Sequence, residues 1–262
     1  MSSIPQARQM RASLRRVKAG GERFLGGVLP GATARRLQTR AFADDWAAAN
    51  IDAKQAHGPL WIVLGDSASQ GVGATTREAG YVGVVHELLR RRDAWRVVNL
   101  SRAGAGVADV LARQLPELAA LTAEEPAALV TCVIGAEDVA RRTPGLDITL
   151  RSMLAALPRG AVVATVPLRG PAADAANAVI REEVVRHGLR VADLGFTGGG
   201  PGRGREAVRL NDVGHATWSR AVMAAVDNPA PSQEVTPPHG IPVTPPAQPA
   251  DDAHEPTASA EG

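Results

Sequence analysis

The chain is poor in cysteine and in aromatic residues. Of its 262 residues only one is cysteine, one is tyrosine and three are phenylalanine. A single cysteine excludes an internal disulfide. Cys132 sits inside Leu129-Val130-Thr131-Cys132-Val133-Ile134, an apolar run in which a buried core thiol is expected rather than a reactive one. Scattered histidines without ligand spacing leave no basis for a zinc site, so no metal is expected. Scarce aromatics leave little for nucleic-acid bases to stack on, and a net charge of only +2 does not mark the whole chain as a nucleic-acid binder.

Long apolar stretches are also missing. Near the start, Phe24 to Leu29 is interrupted by glycines and ended by Pro30, whereas a bilayer span needs about 20 apolar residues. A signal peptide needs a clear hydrophobic stretch. The expectation is a soluble, cytoplasmic chain.

Charge and proline are distributed unevenly. Arg8, Arg11, Arg15, Arg16, Lys18, Arg23, Arg35, Arg36 and Arg40 face one acid, Glu22, across the first forty residues. Such an arm suits contact with an anionic membrane surface, but the plainer reading, a solvated helix or frayed leader, is the one expected. From Asn228 onward lie nine of the nineteen prolines, without apolar periodicity. That composition buries too little surface to offset chain entropy. Three regions are expected: a basic, partly helical or disordered extension over 1–57, one domain over 58–227, and a disordered Pro-rich tail over 228–262.

Within the domain, strand and helix signals alternate. Strands are expected at Leu60–Leu64, Trp95–Leu100, Ala127–Ile134, Ala161–Val166 and Leu189–Leu194. Helical spacing of apolar residues runs over Ala79–Arg91, Val107–Leu121, Leu146–Leu157, Ala172–His187 and Gly214–Val226. Five such alternations imply an α/β fold, a three-layer sandwich with a parallel sheet and right-handed crossovers.

The chemistry concentrates at two places. Leu60-Trp61-Ile62-Val63-Leu64 runs into Gly65-Asp66-Ser67-Ala68-Ser69. A strand ending in Gly-Asp-Ser delivers a hydroxyl to a sharp turn at the carboxyl end of the sheet, where open α/β folds place ligands. Ser67 there is also compatible with a plain turn residue or a helix cap. Far downstream, Asn211-Asp212-Val213-Gly214-His215 offers an imidazole and a carboxylate one helical turn apart. Serine attack needs an imidazole to take its proton, and the imidazole needs a carboxylate to fix its tautomer.

Together these blocks resemble the SGNH hydrolases, also called GDSL esterases and lipases, over about Leu60 to Val226. Gly65-Asp66-Ser67 matches the first block and Asn99-Leu100-Ser101-Arg102-Ala103-Gly104 the second. Asp212-Val213-Gly214-His215 matches the last. The resemblance implies a five-stranded parallel sheet in the order 2-1-3-4-5. It also implies hydrolysis of a carboxylic ester through an acyl-enzyme, without cofactor. Ser67 would be the nucleophile, His215 the base and Asp212 its partner. Backbone N–H groups of Ser67 and Gly104 would form the oxyanion hole. The substrate would be a short acyl ester, a lipid or an acetylated sugar.

The third block departs. Where the family pattern is Gly-x-Asn-Asp, the chain has Gly135-Ala136-Glu137-Asp138. The family asparagine donates to the oxyanion, and an ionised Glu137 has no donor. Three arrangements follow: Glu137 turned away with slow hydrolysis, Glu137 protonated and donating, or a site that no longer catalyses. In the last case the domain is an SGNH-like binding or interaction module. A phosphate-ligand binder of flavodoxin type rests on fold analogy alone. Gly198 to Arg205, glycine-rich and basic, suits an anionic group or a plain loop.

Overall fold

A computed structural model describes residues 31–195 and 210–228. The arginines and lysine before residue 31, the Gly198 to Arg205 segment and the tail beyond residue 228 lie outside the described residues.

Five strands form one parallel sheet in the order β2-β1-β3-β4-β5, as the resemblance implies. They are β1 (Leu60–Gly65), β2 (Arg96–Asn99), β3 (Leu129–Val133), β4 (Val162–Ala164) and β5 (Arg190–Ala192). β1 and β3 are buried at every position, because helices cover both faces of a parallel sheet. Their continuous apolar runs are that burial written in sequence.

The helices are α1 (Gly31–Gln55), α2 (Tyr81–Arg90), α3 over 107–122, α4 (Ala136–Arg141), α5 (Leu146–Ala156), α6 (Pro171–His187) and α7 (Asp212–Asp227). Alternate strand residues feed two cores. Ile62, Leu64, Val130 and Cys132 pack with residues of α3 to α6. Trp61, Val63, Leu129 and Val133 pack with α2, α7 and Trp46 of α1. Burial pushes the Cys132 thiol up to about 12, so it stays protonated and inert.

Pro116 shapes α3. The segment opens as Val107–Asp109, widens into a π turn at Val110–Gln114 and continues as Leu115–Thr122. Proline lacks the N–H that a regular turn would need, and the wider turn accommodates it. The π turn carries Gln114, whose Oε1 accepts from the Gly65 N–H at 2.8 Å while its Nε2 donates to the Gly65 carbonyl at 2.9 Å.

The basic extension contains α1, and α1 is packed. Phe42 and Trp46 are buried, and the Trp46 indole N–H donates to the Gln70 carbonyl at 3.0 Å. The Arg77 guanidinium lies 4.6 Å over the Trp46 ring, within cation–π range. Asn50 meets edge strand β2 as a pairing strand would. Its Nδ2 donates to the Asn99 carbonyl and its Oδ1 accepts from the Asn99 N–H, both at 2.8 Å. Edge strands leave such groups unpaired unless something covers them. Asn50→Ala is expected to cost about 1–2 kcal/mol, measurable as a lower urea midpoint with unchanged slope.

Candidate active site

The end of β1 sets the site. Gly65 has φ +147, and a Cβ there would lie 2.4 Å from the Ser69 Oγ and 2.5 Å from the Val133 carbonyl oxygen, so only glycine fits. The chain then turns sharply. The Asp66 carboxylate accepts from the Ala68 N–H at 2.8 Å, and the Ser67 carbonyl accepts from the Val72 N–H at 3.0 Å. Neither the N–H nor the Oγ of Ser67 has a hydrogen-bond partner among the described residues. Both remain available to a ligand.

A polar net fixes the second block against the first. Asn99 donates through Nδ2 to the Ser69 carbonyl at 2.8 Å, and its Oδ1 accepts from the N–H and hydroxyl of Ser101. The Arg102 N–H donates to the Gly65 carbonyl at 3.1 Å. Gly104 follows on an exposed turn.

The third block forms α4. The Asp138 carboxylate accepts from the Val107 N–H at 3.0 Å and so caps α3. Glu137 pairs with Arg141 at 3.1 Å, one turn along. Glu137 also lines a cleft with Ser67, Asp66, Arg35, Val72 and Trp218. The cleft is open to solvent on one side. Burial raises the Asp66 carboxyl to about 6, helped by the charges of Glu137 and Asp138 and opposed by the Ala68 N–H and Arg35.

The last block starts α7. The Asn211 side chain accepts from the Gly214 N–H at 3.0 Å and caps the helix. His215 is fully buried, flanked by the rings of Tyr81 and Trp218. Its Nδ1 accepts from the Tyr81 N–H at 3.2 Å, and its Nε2 faces the Val72 carbonyl at 3.3 Å. A carbonyl only accepts and a backbone N–H only donates. These partners therefore assign the neutral tautomer with its proton on Nε2. Burial holds the His215 pKa below its ordinary value, against the raising effects of the Val72 carbonyl and of Asp212. The Asp212 carboxylate takes two hydrogen bonds from Thr75, one from its N–H at 2.7 Å and one from its hydroxyl at 2.8 Å.

Ser67 and Glu137 thus share a cleft, with Gly104 on the turn after a loop tied to Gly65. Asp212 and His215 lie one turn apart on α7. Among the described residues no hydrogen bond joins Asp212 to His215, or His215 to Ser67. Several contributors carried no sequence signal. Arg35 reaches the cleft from a helix remote in sequence. Val72, Thr75 and Tyr81 act largely through backbone groups. Trp218 is buried and also lines the cleft, and its indole N–H has no partner among the described residues. No group of three or more metal-ligating side chains occurs among the described residues.

Solved structures of the same architecture exist. TesA is 25% identical, matched over 64% of this chain and 98% of its own, with a TM-score of 0.53. Axe2, an acetylxylan esterase from Geobacillus stearothermophilus, is 21% identical over 66% of this chain and 96% of its own, with a TM-score of 0.52. LAE5, an α/β hydrolase enzyme from the metagenome of Lake Arreo in Spain, is 21% identical over 66% and 97%, with a TM-score of 0.51. No curated protein matches the chain. The model of the GDSL-like lipase/acylhydrolase family matches residues 63–217, well over half of the chain and all the blocks above, and the chain belongs to that family.

Proposed function

We propose that this chain is a serine ester hydrolase acting on a carboxylic ester. The supporting observation is Ser67 itself, with its hydroxyl and N–H unpartnered at the carboxyl end of β1 and on a cleft. The Ser67 Oγ attacks the ester carbonyl carbon and its proton passes to His215. The C–O bond to the alcohol breaks, and that proton leaves with the alcohol. Water then attacks the acyl-serine, giving the carboxylic acid and free Ser67. Asp212 orients His215, and the N–H groups of Ser67 and Gly104 hold the oxyanion.

A second reading has its own support. His215 in its present tautomer has no lone pair free for the serine proton, and Asp212 is engaged with Thr75. Glu137 places a carboxylate where the family has a donor. These features favour an impaired, SGNH-like module that binds without turnover.

One experiment separates them. The full chain is incubated with a fluorophosphonate probe, and separately with p-nitrophenyl acetate, butyrate and octanoate, beside Ser67→Ala. Labelling that maps to Ser67, with slow turnover of at least one of these esters, is the expected result. Equal inertness of native and Ser67→Ala chains would leave only the binding module.

A further inference from the structure

Four residues, 72–75, occupy both members of the α7 pair. The Val72 carbonyl accepts a hydrogen bond from the His215 Nε2–H, and Thr75 donates two hydrogen bonds to the Asp212 carboxylate. This loop is in turn held from α1. The Gln38 Nε2 donates to the Ala74 carbonyl at 2.7 Å, and the Gln38 Oε1 accepts from the Gly73 N–H at 3.0 Å. The loop is also seated tightly. Gly73 has φ +102, and a Cβ there would lie 2.2 Å from the Leu210 carbonyl oxygen. One side-chain amide of α1 thus grips the middle of the segment whose ends hold His215 and Asp212.

From this geometry we infer that Gln38 is a positioning residue that keeps His215 and Asp212 uncoupled, so that the chain rests in a latent state controlled by α1. The inference rests on the hydrolase reading of Ser67. It adds that the control comes from α1, which lies outside the family-matched residues 63–217.

The chemistry of release is specific. A working base needs one ring nitrogen protonated toward a carboxylate and the other bearing a lone pair toward Ser67. In the resting arrangement the carboxylate faces Thr75 and the proton faces Val72. Displacing the loop removes the Val72 and Thr75 partners together, and the ring is then free to turn Nδ1 from the Tyr81 N–H toward Asp212.

Two variants of the full chain test this, Gln38→Ala and Thr75→Val, each first checked for a native circular dichroism spectrum. Uniform ¹⁵N labelling of histidine reads the tautomer of His215, assigned by its loss in His215→Gln. The native chain should show Nε2 protonated and Nδ1 bare. Gln38→Ala should move the proton toward Nδ1 and raise fluorophosphonate labelling at Ser67 about tenfold, the equivalent of two modest hydrogen bonds. Thr75→Val should shift the ring in the same direction. A tautomer change without any labelling supports the latch and removes the hydrolase reading. His215 signals identical to native in both variants, with unchanged labelling, would overturn the latch and mark His215 as a structural core residue.

Discussion

Glu137→Asn is expected to raise ester turnover by about 100- to 1000-fold, the usual worth of one oxyanion donor. The carboxylate shares the cleft with Ser67, and a developing oxyanion there carries the same sign of charge. Arg141 pairs with Glu137 at 3.1 Å and offsets part of that repulsion, but an ionised carboxylate still offers no N–H. Asparagine supplies the donor and removes the charge. It also frees Arg141, which is largely exposed and remains solvated. The gain should appear in kcat more than in KM, because the interaction forms only as the carbonyl oxygen gains charge. Initial rates with p-nitrophenyl acetate, with active sites counted by fluorophosphonate, give the measurement. A loss of activity would instead make Glu137 a working acid or base. No change in a chain that labels at Ser67 would place the Glu137 side chain outside the reaction path.

The fold was legible because its strongest signals come from burial. Leu60–Leu64 and Leu129–Val133 are continuously apolar since helices cover both faces of the central strands. β5 spans only Arg190–Ala192 against the expected Leu189–Leu194. It is an edge strand, and its partly exposed middle weakens the boundaries. α2 begins at Tyr81 rather than Ala79, because Thr76 caps a separate 3₁₀ turn first. α4 was not expected at all, since six residues carry too few apolar positions to show a period.

The nature of α1 was hidden for another reason. Only Phe42 and Trp46 anchor it deeply among the described residues. Beyond Ala49 and Ala53 at the core margins, its ties include polar ones through Gln38 and Asn50 to backbone groups of 73–74 and of Asn99. Such contacts have no side-chain code on the receiving strand or loop. The same holds at the site. The positions of Ser67 and Glu137 on the cleft were legible because the motifs that carry them are local. The partners of His215 were not, because a carbonyl at Val72 and an N–H at Tyr81 look the same in any sequence. The ordered blocks carried the family resemblance, which the family model over 63–217 bears out, while the hydrogen-bond partners of these side chains depend on how loop 72–75 is seated.

Asp66 supplies a test of the same cleft that does not depend on catalysis. Asp66→Asn is expected to stabilise the domain by about 1–3 kcal/mol at pH 7.5 and to add almost nothing at pH 4. The carboxyl is raised from 3.8 to about 6, chiefly by burial, a difference worth up to about 3 kcal/mol. Between those values the folded chain binds more protons at this group than the unfolded chain. Stability from this group is therefore full below about pH 4 and falls as pH rises through 6. Above that, the protein folds around a buried, ionised carboxylate near Glu137 and Asp138. Asparagine keeps an oxygen for the Ala68 N–H at the turn and removes the charge. Urea denaturation of both chains across pH 4 to 8 gives the measurement. The two stability curves should separate progressively through the window and run parallel above it; curves parallel throughout would mean that Asp66 titrates normally. Because Glu137 contributes to the raised value, the separation should shrink in a Glu137→Asn background, linking the stability of the nucleophile turn to the charge beside it.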